Sequence, residues 1–381
     1  MKRSIILKNT DCMKGTLSNT ETKEGVLNCA WAEVQANTPR FIVTAMQEAI
    51  CGNNTYQEIP KSFYNSIMKV YEESYNFYLQ RENIELSPGI ITGIALLIKE
   101  YTKEQDKVGT FFCEYPNIHR VIKNSGRICE PIHLKKDLQG RYSIDWNELE
   151  KKIKNVKMLI FSNPHNPTGM ILNKDELSKI NKLASENNVF VITDECHKDF
   201  VWGEKFISYI TVSRGENSAT FISPGKTYSL SGLSTGVIIA DKEIITQFNK
   251  QFDFLHLVKN KIAATAIETA YTNVQSYEYV VKLKKEILSN KKYFIKCIKS
   301  KMPEINVVEI NSLFTVWFDC SKWNMKSSDI RDGLLNKGLM ITSGEGFGEP
   351  NGSMRINLAI PRHIVEKAIK IIIEFRNENY N

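Results

Sequence analysis

The sequence predicts an α/β protein: a mostly parallel sheet covered by helices. Two observations carry this. Short apolar runs at 157–161, 189–193, 219–222 and 237–240 are each bounded by turns, and 174–187, between the first two, is polar with apolar residues at helical spacing, which makes a β-α-β crossover. A third observation says where the chemistry sits. Three polar motifs each end an apolar run, and ligands of open α/β sheets bind beyond the carboxyl ends of the strands.

In chain order, the apolar stretch Ser4-Ile5-Ile6-Leu7 is too short for a signal-peptide core, and no run approaches the roughly 20 apolar residues of a membrane span. The expectation is a cytoplasmic protein that contacts no membrane. Ser87-Pro88-Gly89-Ile90-Ile91-Thr92-Gly93 reads as a turn into a helix, whose free N–H groups and dipole suit an anion. After the β-α-β region, a helix-rich segment at about 260–300 leads to strands near 314–319 and 354–358. Repeats and low-complexity linkers are missing from the sequence.

With 381 residues, 42% of them apolar, the chain can bury a large core in two domains or one large one. The net charge of +7 comes from Lys and Arg interleaved with Asp and Glu, without a basic block, so a lysine-rich solvated surface is expected and no nucleic-acid partner. Cys12, Cys29, Cys51, Cys113, Cys129, Cys196, Cys297 and Cys320 are scattered without Cys-x-x-Cys or zinc-like spacing; they read as reduced, mostly buried thiols, with no metal.

The three motifs are Ser162-Asn163-Pro164-His165-Asn166-Pro167-Thr168-Gly169, Thr193-Asp194-Glu195-Cys196-His197-Lys198-Asp199 and Ser223-Pro224-Gly225-Lys226-Thr227. Together they supply what pyridoxal phosphate requires. Lys226 offers an amine to form a Schiff base, Asp194 a carboxylate to keep a pyridine nitrogen protonated, and Asn166 an amide for the ring hydroxyl. An aspartate ending an apolar strand is costly to bury without a partner, which favours a functional role over a plain helix cap.

The stretch 191–240, opening on Asp194-Glu195-Cys196-His197-Lys198-Asp199-Phe200-Val201-Trp202-Gly203-Glu204, resembles fold-type I pyridoxal phosphate enzymes of the aminotransferase class I/II superfamily. More narrowly, it resembles the MalY/PatB cystathionine β-lyase (C–S lyase) branch, and the likeness runs from about residue 30 to the C-terminus. The resemblance implies a large α/β/α domain at 46–275 and a smaller α+β domain made of 1–45 and 276–381. It implies a homodimer with shared active sites, in which Tyr56 reaches the neighbouring subunit.

It also assigns roles. Asp194 pairs with the pyridinium nitrogen, and Asn166 meets the cofactor O3′ before a cis bond to Pro167, with His197 near the same oxygen. Gly89, Ile90 and Ile91 give backbone groups and Ser223 a hydroxyl to the phosphate. Tyr115 stacks on the ring, and Arg355, in Met354-Arg355-Ile356-Asn357, clamps the substrate α-carboxylate, a task suited to a planar guanidinium.

The chain departs from the pattern at four places. Ser234 stands where many aminotransferases have an arginine that the lyase branch also lacks, and Gly225 stands where serine is common. Ala30-Trp31-Ala32-Glu33-Val34-Gln35-Ala36 replaces the branch's Trp-Val-Ala-Asp-Met-Asp-Phe, and Glu345 replaces an aromatic, which could suit a cationic substrate side chain. The expected activity is α,β-elimination from an L-amino acid giving thiol, pyruvate and ammonia. An aminotransferase, a specialised biosynthetic elimination, replacement or cyclisation, and a non-catalytic regulator stay open as alternatives.

Overall fold

Seven strands form the central sheet: β1 (Ile84–Ser87), β2 (Lys107–Phe111), β3 (Ile128–Ile132), β4 (Met158–Ser162), β5 (Phe190–Asp194), β6 (Ser218–Ile222) and β7 (Gly236–Ala240). The structure, a computed structural model, describes residues 25–52, 55–56 and 58–380; the 4–7 stretch, Cys12 and the neighbours Asn54 and Gln57 of Tyr56 lie outside the described residues. Strand order is β1-β7-β6-β5-β4-β2-β3. Contacts from β6 to β3 are parallel, and β7 runs antiparallel to both of its neighbours. The sequence gives no sign of this reversal. Its cause is the link from β6, which holds one helical turn (Gly225–Tyr228) and a three-residue 3₁₀ turn (Ser231–Leu233), too little for a crossover that restores direction.

Strands β4 to β7 are buried along their whole length, which is why they read as unbroken apolar runs. Alternate residues serve the two faces. Met158, Ile160, Ile192 and Phe221 pack under the helices Ile90–Tyr101, Pro116–Asn124 and Lys242–Phe254. Leu159, Phe161 and Val191 meet Leu177 and Ile180 of the helix Lys174–Glu186 on the other face. Each such side chain, fully buried, contributes about 1.5–3 kcal/mol of transfer free energy. The Lys174–Glu186 helix starts where the sequence predicts because Asn173 and Glu176 form a reciprocal capping box. Gly93 lets the Ile90–Tyr101 helix lie against β6: a Cβ there would stand 2.4 Å from the Phe221 ring.

The second sheet is antiparallel, in the order β8 (Asn306–Val307), β9 (Thr315–Asp319), β11 (Ser353–Asn357), β10 (Thr342–Ser343). It shares a core of Val316, Phe318 and Ile356 with Phe294 and Ile298 of the long helix Gln275–Lys301 and Ile372 of the helix Arg362–Asn379. The N-terminal arm joins both parts. Leu27–Asn28 pairs with Leu339–Met340, whereas the helix Arg40–Cys51 crosses residue 46 and sets Ile42 against Tyr228, Leu230 and Ala266. Of the described cysteines, Cys29, Cys113 and Cys320 are buried, Cys129, Cys196 and Cys297 half-buried and Cys51 exposed, all as free thiols. Among the described residues no helix is long and apolar enough to cross a membrane.

Candidate active site

The register of the parallel strands brings the motifs together. Ser162 lies opposite Asp194, and Asp194 opposite Phe221, so the chain leaves β4, β5 and β6 at one level. A cavity of about 700 Å³ opens there beneath β11, walled by Lys226, Asp194, Asn166, His197, Tyr115 and Arg355. Both Asn163-Pro164 and Asn166-Pro167 are cis. A smaller cavity of about 350 Å³, beyond Thr168 and Gly169, holds neither Lys226 nor Asp194.

Asp194 is buried, and one carboxylate oxygen accepts the Cys196 N–H at 3.0 Å. Burial pushes its carboxyl up to about 6 against the pull of Cys196. A cation set before it would restore the charge, and a protonated ring nitrogen is such a cation. Arg355 presents the opposite sign. Its Nη1 donates to Asn166 Oδ1 at 3.0 Å and its Nη2 to the Ala30 carbonyl at 3.1 Å, with the Phe347 ring 5.0 Å away. The guanidinium is buried, is pushed down to about 10 by that burial, and keeps Nε without a partner. A buried cation with an unused donor suits a carboxylate.

His197 is buried with Nδ1 unpartnered, its ring 5.3 Å from Phe314; burial, then Lys226 and Arg355, pushes it down to about 3, so it is neutral. Since the Asn166 oxygen is taken by Arg355, the end left for a ligand is its amide N–H₂, a donor that fits a ring oxygen. The Tyr115 hydroxyl accepts from Asn117 at 2.8 Å, and its N–H donates to Glu114. Lysine, carboxylate, amide and aromatic thus fit pyridoxal phosphate from this chain's own chemistry.

The proposed phosphate end stands apart from that wall. Gly89, at φ 98°, caps the Ile90–Tyr101 helix, whose geometry leaves the Ile90 and Ile91 N–H groups without intrahelical partners. The Ser223 hydroxyl is already engaged, donating to the Thr235 carbonyl at 2.5 Å and accepting the Gly225 N–H at 2.9 Å. Gly225 has a packing reason: a Cβ there would meet Ser223 Oγ at 2.9 Å and Thr235 Oγ1 at 3.2 Å.

Two other residues lie differently from their neighbours in the sequence pattern. Tyr56 is 89% exposed and lines a separate surface pocket with Arg81, His256 and Lys259. Glu345 is exposed on the cavity rim with Arg331, whose guanidinium is held up chiefly by its ion pair with Asp332 at 2.8 Å and only in small part by Glu345. Sequence reasoning missed Glu114, Thr235, Arg120 and Arg331, which no motif singles out, and gave no role to Cys196 although it lies within the second motif; Glu114, a charged residue between Cys113 and Tyr115, left a trace.

A buried arginine with a free donor, a lysine and a buried carboxylate line one cavity, a set that fits chemistry on amino acids. The aminotransferase class I and II family matches residues 25–372, and the chain belongs to that family, on its MalY/PatB branch. Cystathionine beta-lyase PatB of Bacillus subtilis is 27% identical over 342 residues, 86% of each chain. Aspartate aminotransferase of Pyrococcus horikoshii is 24% identical over 97% of this chain and 95% of its own. Among solved structures, a PLP-bound aminotransferase-family protein of Clostridium difficile 630 superposes with a TM-score of 0.90 at 27% identity, covering 98% of both chains.

Proposed function

We propose that this chain is a pyridoxal 5′-phosphate-dependent carbon–sulfur lyase acting on an L-amino acid. The observation that carries it is one cavity lined by Lys226, Asp194 and buried Arg355, whose Nε has no partner. Bound there, the cofactor supplies an electron sink for the pair left at Cα. Arg355 holds the α-carboxylate and so fixes which Cα bond faces Lys226. Substrate binding frees the Lys226 amine, which removes the Cα proton. Asp194 keeps the ring nitrogen protonated, and Tyr115 covers the ring. The Cβ–S bond then breaks, the electron pair leaves with sulfur as a thiolate, and released 2-aminoacrylate takes up water to give pyruvate and ammonia.

Similarity to PatB and Ser234 in place of arginine support elimination. A second reading, transamination, is favoured by the match to the Pyrococcus aspartate aminotransferase. Holoenzyme incubated with L-cystathionine, L-cysteine and L-aspartate separates them: pyruvate and ammonia in equal amounts, without an added 2-oxo acid, support the lyase. A 2-oxo acid formed only with an amino acceptor overturns it.

A further inference from the structure

We infer that Glu114 is a positioning residue for the substrate clamp: its buried carboxylate holds Asn166, and through it Arg355, in fixed relation to Tyr115. Glu114 is fully buried, and among the described residues no lysine or arginine pairs with it. Three donors converge on it instead. Oε1 accepts the Tyr115 N–H at 2.8 Å and the Ser162 hydroxyl at 2.6 Å, and Oε2 accepts the Ser162 N–H at 2.7 Å. Ser162 Oγ in turn accepts the Asn166 N–H at 3.0 Å, and Asn166 Oδ1 accepts from Arg355 at 3.0 Å. A continuous buried path therefore runs from the guanidinium to the backbone of Tyr115, and Glu114 is where it turns.

The other side of the carboxylate is closed by His165. Its Nε2 lies 3.6 Å from Oε2 with no hydrogen-bond partner, and its Nδ1 lies 2.8 Å from Thr168 Oγ1. Glu114 and His165 are both fully buried, so His165 packs beside the carboxylate, while Ser162 fastens the loop to Glu114 through its N–H and its hydroxyl. Burial pushes the Glu114 carboxyl up and His165 down to about 3. A carboxylate kept in so dry a place costs stability, and an apolar side chain would fill the space more cheaply. What only an acceptor can do here is receive two N–H groups and one hydroxyl at once. Glutamine would turn one acceptor into a donor aimed at the Ser162 N–H or at His165.

The inference rests on reading Arg355 as the carboxylate clamp, and its test separates the two. Holoenzymes with Glu114→Gln, Ser162→Ala, both changes, or Arg355→Ala are titrated with L-alanine, which has no β leaving group, and with ethylamine, which has no carboxylate; binding is read from cofactor absorbance. Glu114→Gln is expected to weaken L-alanine about tenfold, the scale of one or two lost buried hydrogen bonds, and to leave ethylamine unchanged. Ser162→Ala is expected to weaken L-alanine alone, and the double variant to be no worse than the weaker single, because both cut one path. Equal losses for both ligands, or no loss for either, would show that Glu114 only packs. If Glu114→Gln fails to hold cofactor, Ser162→Ala decides alone, and unchanged L-alanine binding overturns the inference. An Arg355→Ala variant that keeps the wild-type ratio of the two ligands would sink the clamp reading instead.

Discussion

Arg355 and Asn166 are hydrogen-bonded at 3.0 Å across a sequence separation of 189 residues, joining the second sheet to the loop that leaves β4. One side chain of this pair is proposed to hold substrate and the other cofactor, so neither can move without the other. The pairing also orients Asn166: with its oxygen occupied, the amide can only donate to a ring oxygen.

Removal of the clamp is therefore expected to affect every amino-acid substrate. Arg355→Ala should reduce kcat/KM by about 2–5 kcal/mol, as when a buried hydrogen-bonded charge loses its partner. Arg355→Lys should recover little, since a point charge cannot reach Asn166, the Ala30 carbonyl and a carboxylate together. Steady-state kinetics on two unrelated amino acids checks this. A loss confined to one substrate would move Arg355 from common anchor to side-chain selector.

Asp194 makes a pH prediction for the cofactor-free protein. Burial raises its pKa from 3.8 to about 6, so between those values the folded chain binds more protons than the unfolded chain. Its contribution to stability is present below about pH 4, is lost as pH rises towards 6, and is constant above that. The size is about 3 kcal/mol, from two units at roughly 1.4 kcal/mol each. Asp194→Asn keeps an acceptor for the Cys196 N–H and removes the titration. The stability difference between variant and parent, from urea unfolding of both apoproteins, should therefore shift in favour of the variant as pH rises from about 4 to 6. A difference independent of pH would mean that Asp194 is solvated or paired.

The fold was legible because parallel strands buried on both faces leave apolar runs, and the capping box at Asn173 and Glu176 left a helix start. Lys226, Asp194, Asn166 and Arg355 were legible because each belongs to a motif, and the structure places all four on one cavity wall. Direction of β7 was not: an apolar strand reads the same both ways, and only the brevity of its link decides it. Glu114 and Thr235 escaped for another reason. Their roles come from pairing across the fold, Glu114 with Ser162 and Thr235 with Ser223, and no local spacing encodes such partners.

Glu345 shows how position tempers a residue type. It faces water on the rim, near an Arg331 guanidinium whose ion pair is with Asp332 at 2.8 Å. Glu345→Gln should change the preference between cationic and neutral substrates by no more than about 1 kcal/mol, the range of exposed ion pairs, and the change should fade as salt is added. Competition between L-lysine-like and neutral substrates at low and high salt measures it. A large, salt-insensitive change would place Glu345 in a desolvated contact with substrate.

Tyr56 carries the last prediction, because it is exposed while the resemblance implies a role in the neighbouring subunit. It lies outside the cavity wall, in a surface pocket that the exposed Val258 also lines. If a second copy covers it in a two-fold homodimer, each Tyr56 enters the other subunit's site. Subunits carrying Tyr56→Phe and subunits carrying Lys226→Ala should each be inactive as pure dimers. In a mixed dimer the Tyr56→Phe subunit keeps its own Lys226 and receives an unaltered Tyr56 from its partner, so one of two sites is intact. Random mixing makes half the dimers hybrid, and about a quarter of parental activity should return. Hybrids proven by mass but without activity would place Tyr56 in service of its own chain, and the shared-site arrangement would fall with it.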